Sequence, residues 1–316
     1  MQNASKNNLN GCDALRLCLG ASTKMEKIKF MRDKLEIYYN KFNEDKRLGR
    51  RHGNVEFQVT FSYVLKYLEQ IKSTLVGFAT NTESAKSDKK NNSLQTENSK
   101  IKIADIGAGT GRYSIPLHNL GYDVLAVEPY KCNLNKLKNN EPTVKTMLGN
   151  AINLKKIADC SVQMCLLFGP MYHLGTKAEK LQALKEAIRI TVPGGIIMVA
   201  YISNDYSVVT HGFKSHKIAE CIKKGQLDDK FCTQYTEEDL YSYMSLAEID
   251  ELMTEVSGVE RIKILGTDGP TEYMRREINE MDENEYNLFI EYVKSVAERQ
   301  DLIGASAHIV DVIKKI

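Results

Sequence analysis

Neither sign of charge dominates this sequence. Its 316 residues hold 43 Lys and Arg against 41 Asp and Glu, a formal charge of +2. A protein that binds nucleic acid by neutralising its backbone usually shows a stronger basic excess, so a nucleic-acid partner is disfavoured. Apolar runs of the ~18 residues needed for a membrane span are missing, and no membrane partner is expected. The opening MQNASKNNLNGCDALRLCLG has no basic region leading into a long apolar stretch, which argues against a secretory signal. CxxC pairs are also missing. The seven cysteines, Cys12, Cys18, Cys132, Cys160, Cys165, Cys221 and Cys232, are odd in number and scattered. That spacing supports neither a disulfide framework nor a metal site, and fits reduced, partly core-packed thiols in a cytoplasmic protein. With 42% hydrophobic and 27% charged residues, the composition excludes a fibrous or wholly disordered chain.

The pattern along the chain divides it into six parts. Residues 1–24 are rich in Asn, Ser and Gly, and read as a flexible extension. Over 25–78, two helical periodicities predict an N-terminal helical cap, one through Ile28, Met31, Leu35, Tyr39 and Phe42 and one through Phe57, Phe61, Val64, Leu68, Ile71 and Leu75. A polar, basic turn over Lys46–Gly53 separates them. Residues 79–100 are almost all polar and cannot offset their ordering entropy by burial, so a disordered linker is predicted. Over 101–202 short apolar strands alternate with helices. Strands are predicted at Ile101–Ile106, Val124–Val127, Val144–Leu148, Val162–Phe168 and Ile196–Tyr201, and helices at Arg112–Leu120, Cys132–Asn139 and, behind the capping box Thr176–Glu179, through Leu181, Leu184 and Ile188. Strands apolar throughout and separated by helices indicate a parallel sheet covered on both faces. Residues 203–257 break the rhythm with Tyr206, Phe213, Phe231, Tyr235, Tyr241, Tyr243 and Met244 among polar residues, and read as a helical cap insertion. A second capping box, Ser245–Glu248, opens a helix to Val256. Residues 258–316 complete the core with strands at Val259–Leu265 and Ser306–Ile313 around a helix at Glu285–Arg299.

The strongest chemical signal is Asp105-Ile106-Gly107-Ala108-Gly109-Thr110-Gly111, directly after a strand and directly before a helix. Alternate glycines let the backbone turn tightly and approach a ligand with no side chain between them. The spacing is GxGxG, not the GxGxxG of a dinucleotide site, and Arg112 stands where a third glycine would be. No GK[ST] follows, so a phosphate-cradling loop is disfavoured. Glu128 ends the next strand, before Pro129. An acid there faces the first loop and can accept both hydroxyls of a ribose.

With Gly149-Asn150-Ala151, LLFGPMYHL and VPGGIIMVAYI, these motifs resemble the class I S-adenosylmethionine-dependent methyltransferases over residues 101–202. Gly169-Pro-Met-Tyr172-His173-Leu174 is similar to a bacterial subgroup with a GPLYHL-like fourth motif, in which an upstream segment like Tyr39, Glu44, Arg47-Leu48 and Glu56-Phe57 is usual. The resemblance implies a Rossmann-like α/β fold, a seven-stranded, mostly parallel sheet whose last two strands form an antiparallel edge, under a helical cap. It implies S-adenosyl-L-methionine as cofactor and S-adenosyl-L-homocysteine as product. By the same resemblance Gly107, Ala108, Gly109, Thr110 and Gly111 pass under the methionine part and Asp105 holds its amino end. Glu128 and Pro129 meet the ribose, Asn150 and Ala151 the adenine edge, and Phe168 and Gly169 the methyl. Asn150 departs from the Asp more usual there, although an amide oxygen also accepts from an amine.

Near the methyl, His173 is the candidate base, since an imidazole of ordinary pKa ~6.5 accepts a proton near neutral pH. The bland reading of His173 is a loop brace that helps start the next helix. Tyr172 would orient the acceptor or cover the sulfonium with its ring, and Tyr39 and Arg47 would face the acceptor. The expected activity is methyl transfer to a small-molecule acceptor under a Tyr-, Phe- and Met-rich cap. The alternatives are an RNA-modifying methyltransferase using Arg47, Arg50 and Arg51, and a non-catalytic module that binds the cofactor. The acceptor and the oligomeric state carry no signal in the sequence.

Overall fold

The computed structural model describes residues 50–80, 98, 100–236 and 239–316. The expected extension over 1–24, the first predicted helix and most of the 79–100 linker lie outside the described residues, as do Tyr39 and Arg47.

In chain order, helix α1 (Arg51–Thr80) leads to β1 (Lys102–Ile106), α2 (Ser114–Asn119), β2 (Asp123–Glu128), α3 (Lys131–Asn140), β3 (Lys145–Leu148) and β4 (Val162–Leu167). Then come α4 (Pro170–His173), α5 (Lys177–Ile190), β5 (Thr191–Ile202), α6 (Asn204–Ser207) with a π-helical turn (Val208–Lys214), α7 (Ile218–Lys223) and α8 (Leu246–Thr254). The chain closes with β6 (Val259–Gly266), a 3₁₀ turn (Gly269–Glu272), α9 (Arg275–Glu280), α10 (Glu283–Val296), a second 3₁₀ turn (Gln300–Ala305) and β7 (His308–Lys315).

The strands form one seven-stranded sheet in the order β3-β2-β1-β4-β5-β7-β6. β1 to β5 pair in parallel, and β7 runs antiparallel between β5 and β6. The strand order reverses between β1 and β4, and open α/β sheets bind ligands outside the carboxyl ends of the strands at such a point. The loops after β1 and β4 meet there, and the first residue of β7, His308, stands opposite Ile202 at the end of β5.

Both sheet faces are covered, as the uniformly apolar strands require. On one face Val55, Val59, Val64 and Leu68 of α1, all fully buried, pack with Ile103, Met164, Met198 and Val312. On the other, Leu184, Ala187 and Ile190 of α5 pack with Ile106, Leu167 and Val199. Each such Val, Leu, Ile or Met side chain contributes roughly 1.5–3 kcal/mol of burial. The helix anticipated as part of a cap is therefore also core, and its loss would open one face of the sheet.

Two boundaries differ from the sequence expectation for local reasons. Arg51, His52 and Gly53 belong to α1 and not to the preceding turn. Arg51 donates to the Met281 carbonyl and pairs with Glu283 at 3.1 Å, and the His52 N–H donates to Asn279 at 3.4 Å, so the first helical turn finds tertiary partners. β5 starts at Thr191 and includes Pro193-Gly194-Gly195, which form an irregularity where the register against β4 shifts between Val162 and Met164. Gly194 has φ +79°, and a Cβ on Gly195 would lie 2.8 Å from the Gln163 carbonyl oxygen. α5 opens where its capping box predicts: the Glu179 N–H donates to the Thr176 hydroxyl, and the Thr176 N–H donates to the Glu179 carboxylate. Among the described residues, no helix is long and apolar enough to cross a membrane, and no group of three His, Cys, Asp or Glu could hold a metal ion.

Candidate active site

The turn after β1 is held from two sides. The Gly107 and Ala108 N–H groups both donate to the Val127 carbonyl, at 2.8 and 3.0 Å. Gly107 has φ +80°, and a Cβ there would fall 2.7 Å from Pro170 in the loop after β4. Gly111, with φ +98°, would drive a Cβ to 2.9 Å from Ile115 and Leu137. The protein's own packing thus demands these two glycines. Gly109 is different: its φ is +56°, and none of the described residues lies within 4 Å of an added Cβ. Open space above the turn is what a ligand passing over it needs. Thr110 completes the turn and is half-buried.

Two acids lie beneath the turn. Asp105 is 1% exposed and accepts from the Ser114 hydroxyl at the start of α2. Burial, with the nearby Glu128, pushes its pKa up to about 6, against the lowering effect of Ser114. Glu128 is 4% exposed. Its Oε2 accepts from the Gly109 N–H at 3.0 Å, and its Oε1 from the Tyr130 N–H at 3.2 Å and the Asn133 amide at 3.0 Å. Burial raises its pKa too. A carboxylate has about four acceptor directions, so one remains on Oε2. Neither acid has a cationic partner among the described residues. Burying an ionised carboxylate without one is costly.

Arg112 follows the turn. Its Nη2 donates to the Gly53 carbonyl at 2.8 Å, and its guanidinium lies 4.9 Å from the Phe57 ring centroid. Among the described residues, Nη1 is buried without a hydrogen-bond partner. Two buried acids lacking a cation, one buried guanidinium nitrogen lacking an acceptor, and open space over Gly109 together fit a zwitterionic, positively charged cofactor.

Pro129 follows Glu128 into α3. Asn150 is exposed in the loop after β3, where its carbonyl accepts from the Asn153 N–H at 3.2 Å, and Ala151 beside it is buried. At the end of β4, Phe168 is buried with its ring 4.8 Å from that of Tyr113, and Gly169 takes φ +127°. A Cβ on Gly169 would sit 3.5 Å from both the Gly107 carbonyl and the Tyr172 hydroxyl. The structure therefore brings Gly107, Gly169 and Tyr172 together at the switch point.

His173 ends α4. Its Nδ1 donates to the Leu240 carbonyl at 3.0 Å, and its ring lies 4.9 Å from Tyr172 and 5.3 Å from Tyr241. Tyr241 also lines a cavity of about 210 Å³, with His211, Cys221, Tyr235 and Tyr243, within the 203–257 segment.

Sequence reasoning missed Lys180. It is 3% exposed, donates to the Leu174 carbonyl and to the Ser242 hydroxyl at 2.9 Å, and ties the loop after α4 to the cavity wall. Burial lowers its pKa to about 8. A signal was present: Lys180, Leu184 and Ala187 share the i, i+4, i+7 stripe that faces the core. Arg112 was noted only as a missing glycine. Nothing in the sequence pattern marked Asn133.

Comparison with known proteins agrees with this geometry. Residues 104–199 match the family model described as "Methyltransferase domain". The demethylmenaquinone methyltransferase of Paenarthrobacter aurescens (strain TC1) is 32% identical over 103 residues, 33% of this chain and 39% of that protein. The Homo sapiens protein named "Probable tRNA methyltransferase 9B" is 31% identical over 109 residues, 34% of this chain and 22% of its own length. The chain thus spans well under half the length of these relatives. A S-adenosylmethionine-dependent methyltransferase structure from Methanosarcina mazei superposes with a TM-score of 0.46 at 13% identity, over 68% of this chain and 92% of that one. Residues 104–199 accordingly match a methyltransferase domain, and they span β2 to β4 with parts of β1 and β5 of the sheet described above.

Proposed function

We propose that the whole chain is an S-adenosylmethionine-dependent methyltransferase acting on a small-molecule acceptor. The observation that carries this reading is the pair of buried, cation-free carboxylates, Asp105 and Glu128, beneath the open turn at Gly109. When bound, the cofactor supplies a methyl group already activated by a sulfonium charge. The chain's task is then mainly in-line positioning, which is worth roughly 7–11 kcal/mol in favourable cases.

In this reading Asp105 neutralises the cofactor's amino end, and Arg112 Nη1 takes its carboxylate. Glu128, followed by Pro129, offers its remaining acceptor direction to the ribose. Asn150 and Ala151 border the adenine. The backbone from Gly107 through Ala108, Gly109 and Thr110 to Gly111 runs beneath the methionine part. Phe168 and Gly169 border the methyl, and Tyr172 and His173 border the acceptor.

Two observations support a small acceptor. The tyrosine-lined cavity beside His173 has the size of a small molecule. Arg51, one of the arginines an RNA reading would use, is already bound to Met281 and Glu283 of the fold. The likeness of about a third of the chain to a protein named for tRNA methylation favours RNA as the second reading. Transfer of labelled methyl from the cofactor into a metabolite extract, with and without ribonuclease, separates them. Label is expected in a low-mass, ribonuclease-insensitive fraction. Label in RNA that ribonuclease removes would replace the first reading with the second.

A further inference from the structure

The carboxyl edge of the sheet carries a second histidine. His308 is the first residue of β7 and stands opposite the end of β5. Its Nδ1 donates to Asp268 Oδ2 at 2.7 Å, and its backbone N–H donates to Oδ1 of the same carboxylate at 3.1 Å. The Asp268 side chain is 1% exposed and that of His308 28%. The carboxylate is thus buried beside an imidazole that stays partly exposed. Nε2 has no hydrogen-bond partner among the described residues.

The surroundings tie this ring to the switch point. Glu56 of α1 and Glu272 of the turn after β6 both act on its charge. Glu56 accepts from the Tyr113 hydroxyl at 2.9 Å and the Thr60 hydroxyl at 3.0 Å, and the Tyr113 ring packs 4.8 Å from Phe168. Glu272 pairs with Arg275, which donates to the Tyr206 hydroxyl at 3.0 Å. The residue after Tyr206, Ser207, lines the 210 Å³ cavity. Through Glu56 and Tyr113 these surroundings reach Phe168, just after β4, and through Glu272, Arg275 and Tyr206 they reach the segment that encloses the cavity.

We propose that His308 is the base that takes the acceptor's proton, with Asp268 as its positioning residue. This rests on the methyltransferase reading. As the acceptor's lone pair bonds to the methyl carbon, the C–S bond breaks with its electron pair left on sulfur. The acceptor's N–H or O–H proton passes to Nε2 of neutral His308. Asp268, Glu56 and Glu272 stabilise the imidazolium that forms.

Burial alone would lower the His308 pKa, but Asp268 beside it, with Glu56 and Glu272, pushes it up to about 9. A group of that strength is a stronger base than an ordinary imidazole. At neutral pH the neutral ring is the minority form. A cation bound nearby, such as a sulfonium, raises its share.

Histidine ring resonances of the full chain, followed by NMR from pH 6 to pH 10, test this without an acceptor. His308→Gln assigns the signal. His308 is expected to titrate near 9, and to fall toward the ordinary ~6.5 in Asp268→Asn. S-adenosylmethionine should lower the value by about one unit more than S-adenosylhomocysteine, which lacks the sulfonium charge. The wild-type titration decides the matter if Asp268→Asn does not fold. A wild-type value near 6.5, or equal effects of the two ligands, would overturn the proposal. If neither ligand perturbs any resonance, the methyltransferase reading fails and takes the role of His308 with it. The His308–Asp268 pairing would still be read from the ligand-free titration.

Discussion

Replacing Glu128 by Gln keeps the shape of the side chain and removes one acceptor. In the wild type, Oε1 faces two donors, the Tyr130 N–H and the Asn133 amide, and Oε2 faces one, the Gly109 N–H. A glutamine keeps the two bonds by placing its oxygen at the Oε1 position. Its amide nitrogen then meets the Gly109 N–H, donor against donor. The flipped amide is worse, since it would oppose two donors. Leaving one buried donor unsatisfied costs about 1–3 kcal/mol. The cost falls on the residue with φ +56° and open space above it. The variant should bind S-adenosylhomocysteine about 10–100-fold more weakly, since 1.4 kcal/mol is a factor of ten. Its melting temperature should fall by only a few degrees, on the order of 1–2 kcal/mol. Isothermal titration calorimetry and thermal unfolding of the same preparation measure both. Asn133→Ala is the control, because it removes a donor to Oε1 and leaves the Gly109 bond in place. An E128Q protein with an unchanged dissociation constant would refute the view that Glu128 supports the turn and meets the ligand.

Asp105→Asn should trade affinity for stability. The folded pKa of Asp105 is raised to about 6 from 3.8, so its contribution is fully present below about pH 4 and is lost as pH rises through 6, by at most about 3 kcal/mol. The variant should therefore be more stable than wild type at pH 7 and no more stable at pH 4 by chemical denaturation, while binding S-adenosylmethionine more weakly. In the wild type, affinity for this cationic ligand should weaken as pH falls below about 6; a flat pH profile would count against Asp105 as its partner. Arg112→Met, which keeps the packing against Phe57 but removes the unpartnered Nη1, should weaken S-adenosylhomocysteine at least tenfold and leave adenosine, which has no carboxylate, unaffected. Equal losses for both ligands would show that Arg112 acts on the fold instead.

Local signals carried most of what the sequence revealed. The Thr176–Glu179 and Ser245–Glu248 boxes start helices at the expected residues because each is closed by bonds within four residues. The apolar strands could be read because burial on both faces leaves no polar position to disguise the period. What stayed hidden depends on contacts between distant residues. Arg51 joins a helix because Met281 and Glu283 wait for it some 230 positions away. The β5 irregularity depends on the Gln163 carbonyl of a neighbouring strand. Within the site, the glycine turn and Glu128 were legible as motifs, but the reason for each glycine was not. Pro170 requires Gly107, Ile115 and Leu137 require Gly111, and only Gly109 faces open space. His308 and Asp268, 40 positions apart, meet through the β6–β7 pairing and belong to no local pattern.

Calorimetric titration of the full chain with S-adenosylmethionine, S-adenosylhomocysteine and NAD asks most directly what the turn between Asp105 and Glu128 holds. One site is expected that binds the first two ligands and not the third. Tight NAD binding without either sulfur ligand would contradict a cofactor site built from GxGxG, Glu128 and two buried carboxylates awaiting a cation.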